Sequence, residues 1–377
     1  LEVRGSADPT RRTADEGMAA CRREGTGVGM RIIVATAKMP FVSGGAESQV
    51  ADLEAALVAQ GHEVETFVIP FNPTIQEKIP EQMLACRLLN LSAVSNTRVD
   101  RLIALKFPAY LIPHPDKVVW LLHQHRSAYD LWDDDAGDLH ARPRGFVTRE
   151  AIRRADRVLG SARKVFSNSK NVADRLRNFC EIDSSPLYHP PRGEDKFRCE
   201  RQLDDHIFFP SRLHPTKRQS LALQALALTQ QPVRMRFAGL PDDSEYDKHL
   251  QAMADKLQVG SRVEWMKYLS EAEKVDSYAR TIAVLYPPLD EDYGYVTLEA
   301  MLSSKPVITC RDSGGPLEFV LPNKTGLITE PTPEGLAEAL DDLWKNRSRA
   351  VEFGAEGRRH YAQLGLSWPQ TVKRLLA

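Results

Sequence analysis

The chain has 377 residues, enough for two domains that each bury a core of their own. With 42% hydrophobic and 27% charged residues it has the composition of a soluble globular protein, which excludes disordered and fibrous classes. A formal net charge of -1 gives no global reason to bind nucleic acid, and five scattered cysteines without a CxxC or Cys/His cluster suggest neither a zinc site nor a disulfide framework. No apolar run approaches the roughly 20 residues that span a bilayer, so a cytoplasmic protein, peripheral to a membrane at most, is expected.

Residues 1–29 show neither helical nor strand periodicity and are read as a disordered or cloning-derived leader. From Arg31 short apolar runs alternate with amphipathic segments, the signature of strand and helix in turn around a parallel sheet. RIIVAT (31–36) reads as a strand, then comes SGGAES with Gly44 and Gly45, then a helix with Val50, Leu53 and Leu57 on one face, ended by Gly61. HEVETFVI (62–69), VVWLL (118–122) and VFSNS (165–169) read as later strands. SGGAES is not the GxGxxG dinucleotide fingerprint, so a dehydrogenase loses its main support. A tight turn would explain the two glycines equally well; they also permit close backbone approach to a ligand.

The basic segments RVDRLIALKF and REAIRRADR read as amphipathic helices, with contact to anionic lipid as the second reading. The acidic run Asp133 to Asp135 reads as a solvated mobile loop. His123 directly follows the strand VVWLL, where a histidine is either structural or at a cleft. The Pro-rich YHPPRGED (188–195) cannot continue a sheet and is taken as the linker.

A second series runs through HIFFPS (206–211), SLALQALAL, VRMRFAG (233–239), a helix from about Ser244, VEWMKY (263–268), AVLYP (283–287), LEAML, PVITC (306–310) and TGLIT (325–329). The boundaries are therefore 30–190 for an N-terminal domain and 191–360 for a C-terminal one. Residues 361–377 are expected to form a helix packing back on the first domain.

Two motifs in the second domain carry chemistry. In SRLHPTKRQ, Arg212 follows a strand and Lys217 stands at a helix start, two cations suited to a diphosphate leaving group. In EDYGYVTLE, Glu291 and Glu299 flank a glycine that opens a helix, putting the free N–H groups of Tyr293, Gly294 and Tyr295 beside the cleft. Glu299, about one and a half turns in, can reach a cis-diol such as ribose with both carboxylate oxygens. An SGGP turn and Glu318 follow the next strand at the same sheet edge.

These residues resemble family 4 of the retaining glycosyltransferases, with its Glu-x7-Glu element, Arg-x4-Lys pair and Gly-Gly turn, from about Arg31 to the C-terminus. The resemblance implies an α/β GT-B fold, two Rossmann-like parallel-sheet domains facing across a cleft. It implies transfer of a hexose-type sugar from a UDP- or GDP-sugar, with retention, to a sugar, glycan or lipid-linked hydroxyl acceptor, without metal or other cofactor. Glu291 would lie by the donor hexose and Glu299 at the ribose, and Arg212 and Lys217 would hold the diphosphate. His123 would approach the donor sugar, and Gly44 and Gly45 the phosphates or acceptor. Gly239 would lie near the nucleotide, with main-chain groups of Tyr268 and Leu269 at the base. Asp292 and Tyr293 stand where the family most often has a small residue and Phe. Rival readings are a nucleotide-sugar epimerase or sugar phosphorylase on the same fold, and a non-catalytic nucleotide- or glycan-binding subunit.

Overall fold

The computed structural model describes residues 29–41, 44–73, 75–134, 137 and 139–377. Residues 1–28, Ser43 and Asp135, on which expectations were placed above, lie outside the described residues.

Six parallel strands form the first sheet: β1 (Arg31–Lys38), β2 (Glu63–Pro70), β3 (Arg101–Ala104), β4 (Lys117–Leu121), β5 (Lys164–Ser167) and β6 (Ser185–Pro186), in the order β2-β1-β3-β4-β5-β6. Its helices include α1 (Gly45–Ala59), α2 (Ile79–Leu88), α3 (Gly145–Asp156) and α4 (Lys170–Cys180). On α1 the spacing of Val50, Leu53 and Leu57 turns one stripe onto the sheet, and Gly61 at φ +85 closes the helix.

The segment RVDRLIALKF overturns the helical reading. Its centre is β3, buried on every residue and hydrogen-bonded between β1 and β4. A short apolar run fits a buried strand as well as a helix, and the flanking cations mislead because Arg101 is itself buried, held by Asp116 and the carbonyl of Leu375. REAIRRADR does lie on a helix, α3.

The second sheet is also parallel: β7 (Ile207–Pro210), β8 (Met235–Ala238), β9 (Val263–Lys267), β10 (Val284–Leu285), β11 (Val307–Cys310) and β12 (Gly326–Thr329), in the order β9-β8-β7-β10-β11-β12. Helices α5 (Gln219–Leu228), α6 (Ser244–Lys256), α7 (Glu271–Arg280), α8 (Tyr295–Leu302), α9 (Pro333–Lys345) and α10 (Arg347–Leu364) flank it. Each sheet buries both faces, as parallel sheets do.

Helix α11 (Trp368–Leu376) completes the first domain. Val372 and Leu375, both fully buried, share a cluster with Ile32, Val34, Leu53 and Leu57. The covalent linker beside it is centred on His189, whose ring stacks on Tyr293 at 4.7 Å and stands edge-on to Trp120 at 5.0 Å. Burial pushes this histidine down to about 3, so it is a neutral packing element at physiological pH. Among the described residues no helix is long and apolar enough to cross a membrane.

Candidate active site

In open parallel sheets, ligands bind outside the carboxyl ends of the strands where the strand order reverses. That point lies between β7 and β10 in the second sheet and between β1 and β3 in the first. Loops from both domains enclose one cleft of about 400 Å³ there. The first domain contributes Gly45, Ser48, Gln49, Asp52, His123 and Asn168; the second contributes Arg212, Lys217, Glu291, Tyr293, Gly294, Tyr295 and Glu299.

Glu291 sits in the loop after β10. Its N–H donates to the carbonyl of Ser313 and its carbonyl accepts from the N–H of Gly315, so it is strapped to the Gly-Gly turn. Gly314, at φ +69, makes this approach possible: a Cβ there would stand 2.6 Å from the Glu291 carbonyl oxygen. The Glu291 carboxylate pairs with the ammonium of Lys217, which projects from the turn (Pro215–Lys217) before α5.

Glu299 lies in the second turn of α8 and is held by α7. The Tyr278 hydroxyl donates to Oε2 at 2.7 Å and the Lys274 ammonium to Oε1 at 3.1 Å. Each oxygen keeps a lone pair for a ligand hydroxyl, so the two contacts orient the carboxylate without using it up. Burial, and then the charge of Glu299, drive the Tyr278 hydroxyl well above its ordinary range, so it remains a donor.

Arg212 leaves β7 into the cleft and is paired with Asp242. Arg192 of the linker reaches Asp52 of α1 at 3.1 Å. The cleft thus presents cations and carboxylates already in pairs, and an anionic ligand would exchange with the carboxylates at Lys217 and Arg212. Among the described residues no group of three or more His, Cys, Asp or Glu side chains is placed to hold a metal ion.

On the opposite wall, His123 follows β4, and its Nδ1 lies 2.7 Å from the carbonyl of Gln124. Burial lowers its pKa, partly offset by the charge of Asp292. A neutral ring would donate from Nδ1 to that carbonyl. Asp292 behaves oppositely: burial alone would raise its pKa, but the guanidiniums of Arg175 and Arg126 hold it at about 2. His123, Arg212, Lys217, Glu291 and Asp292 also border a neighbouring hollow of about 250 Å³ with His125 and His214.

Four expected residues do not line the cleft. Gly44 is the N-cap of α1, one residue short of it, and its N–H is taken by the Glu47 carboxylate at 2.8 Å. Gly239 directly follows β8 at φ +152 and lies against the Ser211 carbonyl, which a Cβ would approach to 2.1 Å; it shapes the floor through the Arg212 loop. Tyr268 is 74% exposed, and Leu269 packs on the apolar cluster around α8. Tyr293 and Tyr295 do border the cleft, yet their rings turn into the linker cluster and their hydroxyls bond His189. Sequence reading missed Lys274, Tyr278, Gln49, Asp52, Arg192 and Asn168. The first two stand four apart on one helix face, and Asn168 follows β5 much as His123 follows β4.

Two Rossmann-like domains with a charged cleft between their strand ends define the GT-B class of glycosyltransferase folds. Solved structures agree: over 92% of the chain the fold matches sucrose-phosphate synthase from Thermosynechococcus elongatus, with a TM-score of 0.75 at 17% identity over 97% of that chain. Anabaena HepE in complex with UDP-glucose matches 92% of this chain and 98% of its own, with a TM-score of 0.67 and 17% identity. Residues 194–360 match the model of the family of glycosyl transferases group 1. The human alpha-1,3/1,6-mannosyltransferase ALG2 is 32% identical over 226 residues, 53% of this chain and 54% of that protein. The match thus spans about half the length of this curated relative.

Proposed function

We propose that the protein transfers a hexose from a UDP- or GDP-sugar to a hydroxyl acceptor with retention of anomeric configuration. The observation that carries this reading is the pairing of Lys217 with Glu291 in one cleft with an oriented Glu299. A nucleoside diphosphate placed along α8 would set its ribose hydroxyls on Glu299. Its phosphates would take Lys217 and Arg212 from their carboxylate partners, and the first turn of α8 offers further N–H donors. Glu291, released by that exchange, would accept from hydroxyls of the hexose.

In the reaction the bond from the anomeric carbon to the diphosphate oxygen breaks as a bond to the acceptor oxygen forms on the same face. The acceptor proton passes to the departing diphosphate, so no separate protein base is required. The two cations stabilise the charge gathering on the leaving group, which is electrostatic and positional catalysis. Neutral His123, on the facing wall, would hydrogen-bond the sugar. We propose that no metal is needed, because lysine and arginine supply the counter-charge.

We further propose that the acceptor is a glycan or lipid-linked sugar met at an anionic membrane surface. On α3 the exposed Phe146 and Val147 stand near exposed Arg142 and Arg144, with Arg154 and Arg157 further along, an arrangement suited to an acidic interface.

The test is incubation with UDP- and GDP-linked glucose and mannose plus simple glycoside acceptors, with the product's anomeric configuration read by NMR. A retained glycoside is expected. Inversion would overturn the stereochemical reading; epimerised donor, or phosphate-dependent glycan cleavage, would transfer the assignment to a rival enzyme.

A further inference from the structure

The loop that carries Glu291 is held by the opposite domain. Asn171, in the first turn of α4, donates from Nδ2 to the Asp290 carboxylate at 2.6 Å and to the Glu291 carbonyl at 2.9 Å. One turn further on, Arg175 donates from Nη1 to Asp292 at 2.6 Å and from Nη2 to the Asp290 carboxylate at 2.8 Å. Both acids that flank Glu291 are therefore fixed from α4. The arginine is 5% exposed and has a third acid, Asp130 of its own domain, 3.7 Å away.

The start of α4 makes a second contact across the cleft. The N–H groups of Lys170 and Asn171 donate to the two carboxylate oxygens of Glu318 at 2.9 and 2.8 Å. Glu318 belongs to the short helix (Gly315–Glu318) that follows the Gly-Gly turn, and that turn straps the Glu291 backbone. A carboxylate on the first N–H groups of a helix satisfies donors with no intrahelical partner. One helix of the first domain thus grips both halves of the platform on which Glu291 stands.

Asp290 lies at φ +44, a left-handed conformation costly for a residue with a side chain, and here its carboxylate is held by Asn171, Arg175 and Arg126. We infer that Asn171 and Arg175 are positioning residues, which set Glu291 in its working place only when the two domains are closed on α4. The donor-binding side of the cleft, Glu299 with Lys274 and Tyr278, lies wholly in the second domain and does not depend on this grip. Nucleotide binding and catalysis are consequently separable: opening of the domains leaves the nucleotide bound and takes Glu291 out of register.

This inference rests on the role proposed for Glu291, and its test separates the two. Arg175→Ala, Asn171→Ala and Arg175→Lys are compared with the unaltered chain by small-angle scattering, by calorimetric binding of UDP and GDP, and by nucleoside diphosphate release from UDP-glucose and GDP-mannose. The lysine variant keeps the buried charge but lacks the planar fork that reaches Asp290 and Asp292 from separate nitrogens. The expected result is a larger radius of gyration for the alanine variants, nucleotide affinity within about twofold of the original, and kcat lower by about 100-fold with KM for donor little changed. Arg175→Lys should lose kcat while retaining thermal stability. Unchanged scattering and kcat in Arg175→Ala would overturn the inference. An unaltered chain that binds neither nucleotide, together with a larger radius in Arg175→Ala, would remove the glycosyltransferase reading and leave the interdomain grip standing.

Discussion

Replacing Glu299 by alanine tests the nucleotide end of the cleft most directly. A carboxylate accepting from two ribose hydroxyls gains about 1.5 kcal/mol per charge-assisted bond, or about 3 kcal/mol in all. Loss of that amount weakens the dissociation constant roughly 150-fold. Thermal unfolding converts this into a reading. A ligand at 100 times its dissociation constant stabilises by about 2.7 kcal/mol. At the same concentration the variant would gain only about 0.3 kcal/mol. For a chain of this size the contrast is roughly 3–4 °C against about half a degree. The substitution also strips Tyr278 and Lys274 of a shared acceptor. The fully buried hydroxyl left behind costs about 1–3 kcal/mol, so the unliganded variant should melt lower as well. Glu299→Gln keeps an oxygen for Tyr278 and separates the two effects. Calorimetry with UDP and GDP gives the affinity independently; a dissociation constant within about threefold of the original, in a variant with native circular dichroism, would refute the ribose role.

Lys217→Ala should lower kcat by about 100-fold or more through loss of charge stabilisation on the leaving diphosphate, measured by initial rates with saturating donor. Transfer should persist undiminished after dialysis against EDTA; loss restored by a divalent ion would contradict metal independence. Asp156 is buried between the Tyr110 and Tyr129 hydroxyls, and burial raises its carboxyl from 3.8 to about 7. The native state therefore holds a proton that the unfolded chain has already lost; this contribution is full below pH 3.8 and disappears as pH rises through about 7. Urea midpoints measured from pH 5 to 8 should fall across that window and fall less in Asp156→Asn. Phe146→Ser with Val147→Ser should reduce sedimentation with phosphatidylserine vesicles and leave soluble-acceptor activity unchanged.

Much of the architecture was legible because each strand is a short apolar run and each helix has one apolar stripe. The failure at β3 has a specific cause: Arg101 is a charged residue satisfied inside the protein by Asp116 and by a carbonyl 274 positions away, which local pattern cannot show. The Glu291 and Glu299 spacing was legible because one helix start carries both. The partners that orient them were not: Lys274 and Tyr278 lie on a different helix, and Arg175 meets Asp292 across 117 positions and a domain boundary. Tyr268 and Leu269 were placed for their main-chain groups by position after a strand, and that position alone does not show whether this stretch of backbone borders the cleft.

The return of α11 onto the first domain has a consequence for how the chain acquires its structure. A growing polypeptide makes residues 30–190 first, and the sheet they form has a groove beside α1 with nothing in it. Val372 and Leu375, which fill that groove, come after the whole second domain in the chain. The domain synthesised first is therefore the one completed last, and it must wait with apolar surface uncovered while the whole second domain is translated and folds.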